Sequence, residues 1–309
     1  MNIDIIGDVF VDVIAGPIYN LPSWGGDTLV QKPIKLMLGG SGGNMAAHTT
    51  GAIGQNLLQG RAVRCRLHSA VAADELGQFA RQQLQARGIT LKEKLGGARG
   101  AQGACLVISG LQDRCFITHR GNTATFRQSD LCQECLADSS HVHIAGYYNM
   151  DAFRDDVPEL FERMRRLGAT TSLTPQYDAD EKWRGMEALY PHTTLLLLNE
   201  LEAQKLSGLE GIDPAARFFM QVGHRNLIFL QTRNASIRSL HQPSKVVKVV
   251  DTTGAGDAFA GGFVYAWKVT GSVEEALRWG CAYGAATVQR VGGSDVTPLS
   301  RADLEACLL

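Results

Sequence analysis

The sequence predicts an α/β domain with a mostly parallel sheet covered on both faces by helices. Short β-rich runs alternate with helical stretches along the chain, the pattern of strands joined by helical crossovers. The run "TTLLLLNE" is apolar at consecutive positions, as a strand buried on both faces must be. Glycine-rich loops stand where a strand gives way to a helix.

The elements follow in order. "IDIIGD" reads as a first strand, and a Gly-rich stretch leads into the helical "NMAAHTTGAIG". "CRLHSAV" is a strand, followed by the helix "DELGQFARQQLQARG" with Gly88 at its C-terminal cap. Then come the strand "HVHIAGY", a helix through "DVPELFERMRRLG", the strands "ATTSLTP" and "TTLLLLNE", a short helix from Glu200 and the strand "NLIFLQT". Two segments break the alternation. "ACLVISGLQDRCFITHR" reads as a hairpin, and "VDVIAGPIYNLPSWGGDTLVQKPIKLML" is strand-like with Pro and Gly punctuation. Together they suit a small second sheet, over about 11–36 and 100–122, that acts as a lid or as mere decoration. The C-terminal "DAFAGGFVYAWKVTG" and "VEEALRWGCAYGAATVQRVGG" carry small and apolar residues at helical spacing, predicting two closely packed helices. We expect a single domain over residues 1–309.

Composition narrows the function. Thirty basic and thirty-one acidic residues leave a formal net charge of -1, so no global positive field recruits nucleic acid or an anionic membrane. "MNIDIIGD" has no basic region followed by an apolar core, so no signal peptide is expected. Seven scattered cysteines suggest no disulfide framework, and the expected home is the reducing cytoplasm. Cys132 and Cys135 of "CQEC", with His141 and His143 of "HVH", have the elements of a zinc set. The simpler reading places the cysteines on the core face of a short helix and the histidines on a strand's polar side.

The chemistry concentrates in loops. In "DTTGAGDAFAGG", Gly254 and Gly256 permit positive φ and bring amides close to a ligand, and the apolar run that follows opens a helix. Free N–H groups and the helix dipole then form an anion site suited to phosphate, with Asp257 at its rim. Asp257 could instead serve as an N-cap. No Gly-x-x-x-x-Gly-Lys-Ser/Thr loop is present, and a dinucleotide fingerprint would need glycine where Phe259 stands. A second loop, "LGGSGGN", supplies Gly40 and Asn44, and Asp12 follows the first strand. This carboxylate and amide suit the hydroxyls of a polyol or ribose, and no Lys or Arg in these loops awaits a phosphorylated substrate. Asn199 and Glu202 of "NELE" follow a strand end at i and i+3, where they could order Mg2+ water ligands or simply begin a helix.

Taken in order, Asp12, "GGSGGN", "AADELG" with Asp74 and Gly77, "NELE" and "DTTGAGD" resemble the ribokinase-like (PfkB) family of sugar and nucleoside kinases over nearly the whole chain. The resemblance implies a three-layer α/β/α sandwich with a β-sheet lid, often used in dimer contacts. It also implies ATP-dependent phosphorylation of a hydroxyl on an unphosphorylated sugar or nucleoside. Asp257 would be the base, and the amides of Gly254, Ala255 and Gly256 the anion hole. Asp12, Gly40 and Asn44 would hold the acceptor, while Asn199 and Glu202 would act on Mg2+ through water. Thr232 and Asn199 would reach ATP. Asp251 and Thr253 match the ligands of a monovalent cation such as K+, with carbonyls near Val288, Val291 and Gly293. The chain departs from the family where "QTRNAS" replaces a Thr/Gly-rich turn and where Ser41 replaces the lysine common in ribokinases. Trp24, Phe116 or Tyr147 could stack on a ring, or serve lid and core packing. The alternative from another class is a non-catalytic small-molecule sensor that retains the fold.

Overall fold

A computed structural model describes residues 1–93, 100–110, 114–222, 227–230 and 242–309. The strands are β1 (Asn2–Gly7), β2 (Phe10–Ala15), β3 (Lys35–Gly39), β4 (Arg64–His68), β5 (Thr90–Lys92), β6 (Gly103–Ser109), β7 (Arg114–His119), β8 (His141–Ala145), β9 (Thr170–Thr174), β10 (Leu195–Asn199) and β11 (Leu227–Leu230). The helices are α1 (Ser41–Gly54), α2 (Glu75–Ala86), α3 (Gln133–Ala137), α4 (Val157–Arg166), α5 (Glu200–Ser207), α6 (Ile212–Gln221), α7 (Ala255–Thr270), α8 (Val273–Thr287) and α9 (Arg301–Glu305). The sequence pattern does not announce α6, α9 or the short edge strand β5; α6 is amphipathic, with Ile212, Ala215, Ala216 and Phe219 buried.

Seven strands form one sheet in the order β11-β10-β9-β8-β1-β4-β5. Every pairing in it is parallel. The reason is visible in β10. Leu195 and Leu197 enter the core beneath α1, α7 and α8, while Leu196 and Leu198 enter the opposite core with α4 and α6. Neither face meets water, so alternation gives way to an unbroken apolar run. β8 departs from this rule. His141 and His143 are fully buried, and their ring nitrogens bond to hydroxyls of Thr170, Ser172 and Thr174 on β9 at 2.6–3.1 Å. Burial holds both rings neutral, with His143 pushed down to about 3.

The zinc set does not assemble. Cys132, partly exposed rather than core, caps α3 and is joined by a disulfide to Cys135, while both histidines are committed to hydroxyls. Among the described residues, no group of three or more His, Cys, Asp or Glu could hold a metal. None of the helices in the described residues is long and apolar enough to cross a membrane.

The two irregular segments form a separate four-stranded sheet, β3-β2-β6-β7, with the β6–β7 hairpin antiparallel as expected. Its register separates two faces. Met37, Asp12, Cys105 and Thr118 make one row across the strands, and Leu36, Val13, Leu106 and Ile117 make the next, on the opposite face. Of the second row, Leu36, Leu106 and Ile117 are exposed. Asp74 fastens this sheet to the body, since one carboxylate oxygen accepts from Gly77 N (2.8 Å) and the other from Gln102 N (2.8 Å) just before β6.

Candidate active site

Two helices begin at one point. α1 starts after Gly40 and α7 after Gly254, and both of these N-caps have positive φ, 81° and 70°. Side chains are excluded there for a second reason. A Cβ on Gly254 would lie 2.4 Å from Gly293 Cα, and one on Gly40 would lie 2.6 Å from the Asp8 carbonyl. The first amides of each helix lack intrahelical acceptors, so both positive dipole ends face the same space. Of the predicted anion-hole amides, Ala255 N–H makes a long turn bond to the Thr252 carbonyl (3.3 Å). Gly256 lies inside the helix and does not use the positive φ expected of it.

Asp257 occupies the first turn of α7 and does not cap it. Its Oδ1 accepts from Ser41 Oγ (2.6 Å) and Gln176 Nε2 (2.8 Å), and its Oδ2 accepts from Asn44 Nδ2 (3.0 Å). Burial raises the carboxyl's pKa and these donors oppose the rise. Asn44 Oδ1 is buried with no partner, an acceptor open to a hydroxyl donor. The structure therefore brings predicted Asp257, Asn44 and Gly254 together, with Asp12 nearby on β2. Burial and the charges of Asp8, Asp257 and Asp251 push Asp12 up to about 7.

Asn199 and Glu202 form a reciprocal capping box on α5. Asn199 Oδ1 accepts from Glu202 N (2.8 Å) and Glu202 Oε2 accepts from Asn199 N (3.0 Å). Glu202 is nevertheless buried, and desolvation with the charge of Asp257 pushes it up to about 7. A divalent cation beside Glu202 would relieve that repulsion, held by hard oxygen ligands that are largely water and phosphate rather than a cluster of side chains. Asp251 Oδ1 accepts from Thr253 N (2.9 Å) and Oγ1 (2.7 Å), and its Oδ2 accepts from Gly292 N (2.9 Å). The Val288 carbonyl accepts from Val250 and Asp251, and that of Gly293 lies 2.8 Å from His48 Nε2. Thr232 and the rest of "QTRNAS" lie outside the described residues.

Four functional candidates escaped the sequence reading. Ser41 was noted only for the lysine it replaces. Gln176, at φ 63°, holds a left-handed backbone unusual for its type, which turns its amide onto Asp257. Asp8 accepts from Gly42 N (3.0 Å) in the first turn of α1 and from Asn149 Nδ2 (2.7 Å), and burial pushes it up to about 7. Arg114 extends from β7 of the second sheet to Asp251 (3.5 Å) and Thr252 Oγ1, putting a cation near the loop where none was expected. Only the position of "TPQYD" directly after a strand end signalled Gln176. The aromatic candidates divide: Trp24 is fully exposed, Phe116 is half exposed on β7, and Tyr147 is core, its hydroxyl on the Gly185 carbonyl (2.9 Å).

Residues 2–299 match the family described as pfkB family carbohydrate kinase. The chain belongs to the pfkB family. Ribokinase of Haemophilus influenzae is 25% identical over 333 aligned residues, which cover 98% of this chain and 97% of the relative. Adenosine kinase of Sinorhizobium meliloti superposes with a TM-score of 0.79 at 19% identity, covering 99% of each chain. An Escherichia coli structure solved as a ribokinase II with ATP and Mg2+ gives a TM-score of 0.78 at 22% identity, over 99% of this chain and 98% of that one. This pfkB-family chain is thus a phosphotransferase with an alcohol acceptor, and its parallel sheet with a separate four-stranded sheet is the ribokinase-like fold.

Proposed function

We propose that this chain transfers the γ-phosphoryl group of ATP to a hydroxyl of an unphosphorylated sugar or nucleoside. The observation that carries the proposal is a buried carboxylate, Asp257, held by Ser41 and Asn44 where two helix N-termini converge. Asp257 takes the proton of the attacking hydroxyl. The amides of Gly254, Ala255 and Gly256 receive the charge that develops on the transferring oxygens. Asp12 and the unpartnered Asn44 Oδ1 accept the acceptor's other hydroxyl protons beside Gly40. Gln176 and Ser41 keep Asp257 ionised against desolvation. Asn199 and Glu202 would hold Mg2+ through water, and the ion would neutralise the polyphosphate. Asp251 and Thr253 would hold a monovalent cation beside the hole.

Measuring ADP release over a panel of sugars, nucleosides and their phosphates, with and without potassium, tests this reading. The expected result is turnover with an unphosphorylated acceptor and a higher rate in potassium. Turnover with sugar phosphates alone would overturn the acceptor class, and indifference to potassium would remove the second cation.

The acidity of the site gives a pH dependence. Asp12 accepts a hydroxyl most strongly as carboxylate, and a pKa raised to about 7 means that it protonates, and loses that charge-assisted bond, as pH falls through that value. Values of kcat/KM, which report free-enzyme groups, should fall roughly tenfold per pH unit on that acid limb. A profile flat down to about pH 5, the ordinary carboxylate range, would show that no carboxyl with a raised pKa governs acceptor binding.

The exposed row Leu36, Leu106 and Ile117 supports a homodimer through the lid, because it joins into one apolar patch. Sedimentation should give a dimer for the native chain and a monomer for Ile117→Lys; a native monomer would end this assignment. Five of the seven cysteines are free, which supports a cytoplasmic protein, and the single Cys132–Cys135 disulfide is the observation against it.

A further inference from the structure

A cavity of about 580 Å³ lies among α1, the end of α2, α8 and the loop through 291–299. Of the residues that line it, only Val291 and Gly293 were named above for backbone carbonyls near the monovalent cation; none belongs to the acceptor or anion-hole sets. Its walls carry two guanidinium groups, Arg87 and Arg290, against one carboxylate, Asp295 on the exposed loop. Arg290 is tied to Asp303 (2.8 Å), and Arg87 holds the Ser294 carbonyl (3.1 Å) and Gln83. Arg87 Nε is buried with no partner. Among lining residues more than nine-tenths buried, the hydroxyls of Tyr283, Thr287 and Ser294 share that condition, their oxygens having no hydrogen-bond partner. Buried polar groups are almost always satisfied, so a cluster of orphans around one cavity marks an absent occupant. His48, also in the wall, is held neutral by burial and by the charges of Arg87 and Arg290, so it adds no third cation.

We propose that this cavity binds a small phosphate-bearing anion, its phosphate on Arg87 and Arg290 and its polar body on the Tyr283, Thr287 and Ser294 hydroxyls. The volume suits an organic phosphate of metabolite size, and guanidinium groups match phosphate geometry. The cavity shares a wall with the active site. His48 Nε2 lies 2.8 Å from the Gly293 carbonyl, Gly292 N holds Asp251 (2.9 Å), and a Cβ on Gly293 would lie 2.4 Å from Asn44 Nδ2. Ligand drawn onto Arg87 and Arg290 therefore acts on the loop that backs Asn44 and Gly254. That coupling rests on the catalytic reading above; the binding does not.

Calorimetric titration of the full chain with inorganic phosphate and with a hexose 6-phosphate tests the proposal. We expect saturable binding at millimolar concentration or below, weakened roughly tenfold in Arg87→Gln and Arg290→Gln and unchanged in Asp257→Asn. Ser294→Ala removes only an unpartnered hydroxyl, so it should fold normally and still bind more weakly. Tighter binding of the hexose 6-phosphate identifies an organic phosphate; equal binding identifies free phosphate. Absence of saturable binding by either probe overturns the site. So does binding kept in both arginine variants and tightened in Asp257→Asn, which removes a negative charge beside the anion hole and would place the anion in the active site instead. Acceptor KM or kcat should also shift with the probe in the native chain and not in Arg290→Gln. Binding without that shift would overturn the coupling.

Discussion

Asp257→Asn should lower turnover by ~10²–10⁴, the range for loss of a general base, while the chain stays folded. The asparagine carbonyl can still accept from Ser41 and Gln176, which donate to Oδ1 at 2.6 and 2.8 Å. Its amide would face Asn44 Nδ2, a donor meeting a donor, but Asn44 can rotate and offer its unpartnered Oδ1 instead. The local network survives the exchange. Stability should hold or rise, because burial and neighbouring carboxylates already raise the pKa values of Asp8, Asp12 and Glu202, with Asp257 contributing to each. Removing one buried negative charge relieves the other three. Steady-state kinetics beside a melting curve decide the matter. A folded variant with near-native turnover would strip Asp257 of its role.

Gly254→Ala should cost nearly as much by a different route. The left-handed conformation at φ 70° costs an L-residue roughly 1–2 kcal/mol. The larger penalty is steric, since the new methyl would stand 2.4 Å from Gly293 Cα, a backbone atom that cannot swing aside. The start of α7 must move, and its amides lose their aim. Loss of one oxyanion-hole donor typically lowers kcat ~10²–10³, and a displaced hole should lose at least that. The effect should fall on kcat far more than on acceptor KM, because Asp12 is untouched. Wild-type kcat in a folded Gly254→Ala chain would show that the phosphoryl group is received elsewhere.

These two residues were legible in the sequence because their neighbours in the chain define them: a small, flexible loop, then an apolar helix. The parallel sheet was legible for the same reason, through the unbroken leucines of β10. Gln176 and Arg114 were not. Each reaches the site by tertiary placement, one through a strained backbone after β9 and the other from the β6–β7 hairpin, and neither has a sequence neighbour that announces it. The capping box of Asn199 and Glu202 does begin a helix, and its buried acid is the same group proposed above to act on Mg2+. The polar ladder of His141, Ser172 and His143 was half seen: the alternation was correct, but the face it marks is interior. An alternating pattern specifies two faces without saying which one meets solvent.

The bonds that fix Asp257 to Ser41 and Asn44 span 216 and 213 positions. Contacts of such separation close late, after most of the loop-closure entropy has been spent. During synthesis the acceptor-binding half leaves the ribosome long before α7 exists, so a truncated chain, however well its early strands pair, carries no reaction centre. Competence arrives in one step, when the C-terminal helices dock against α1.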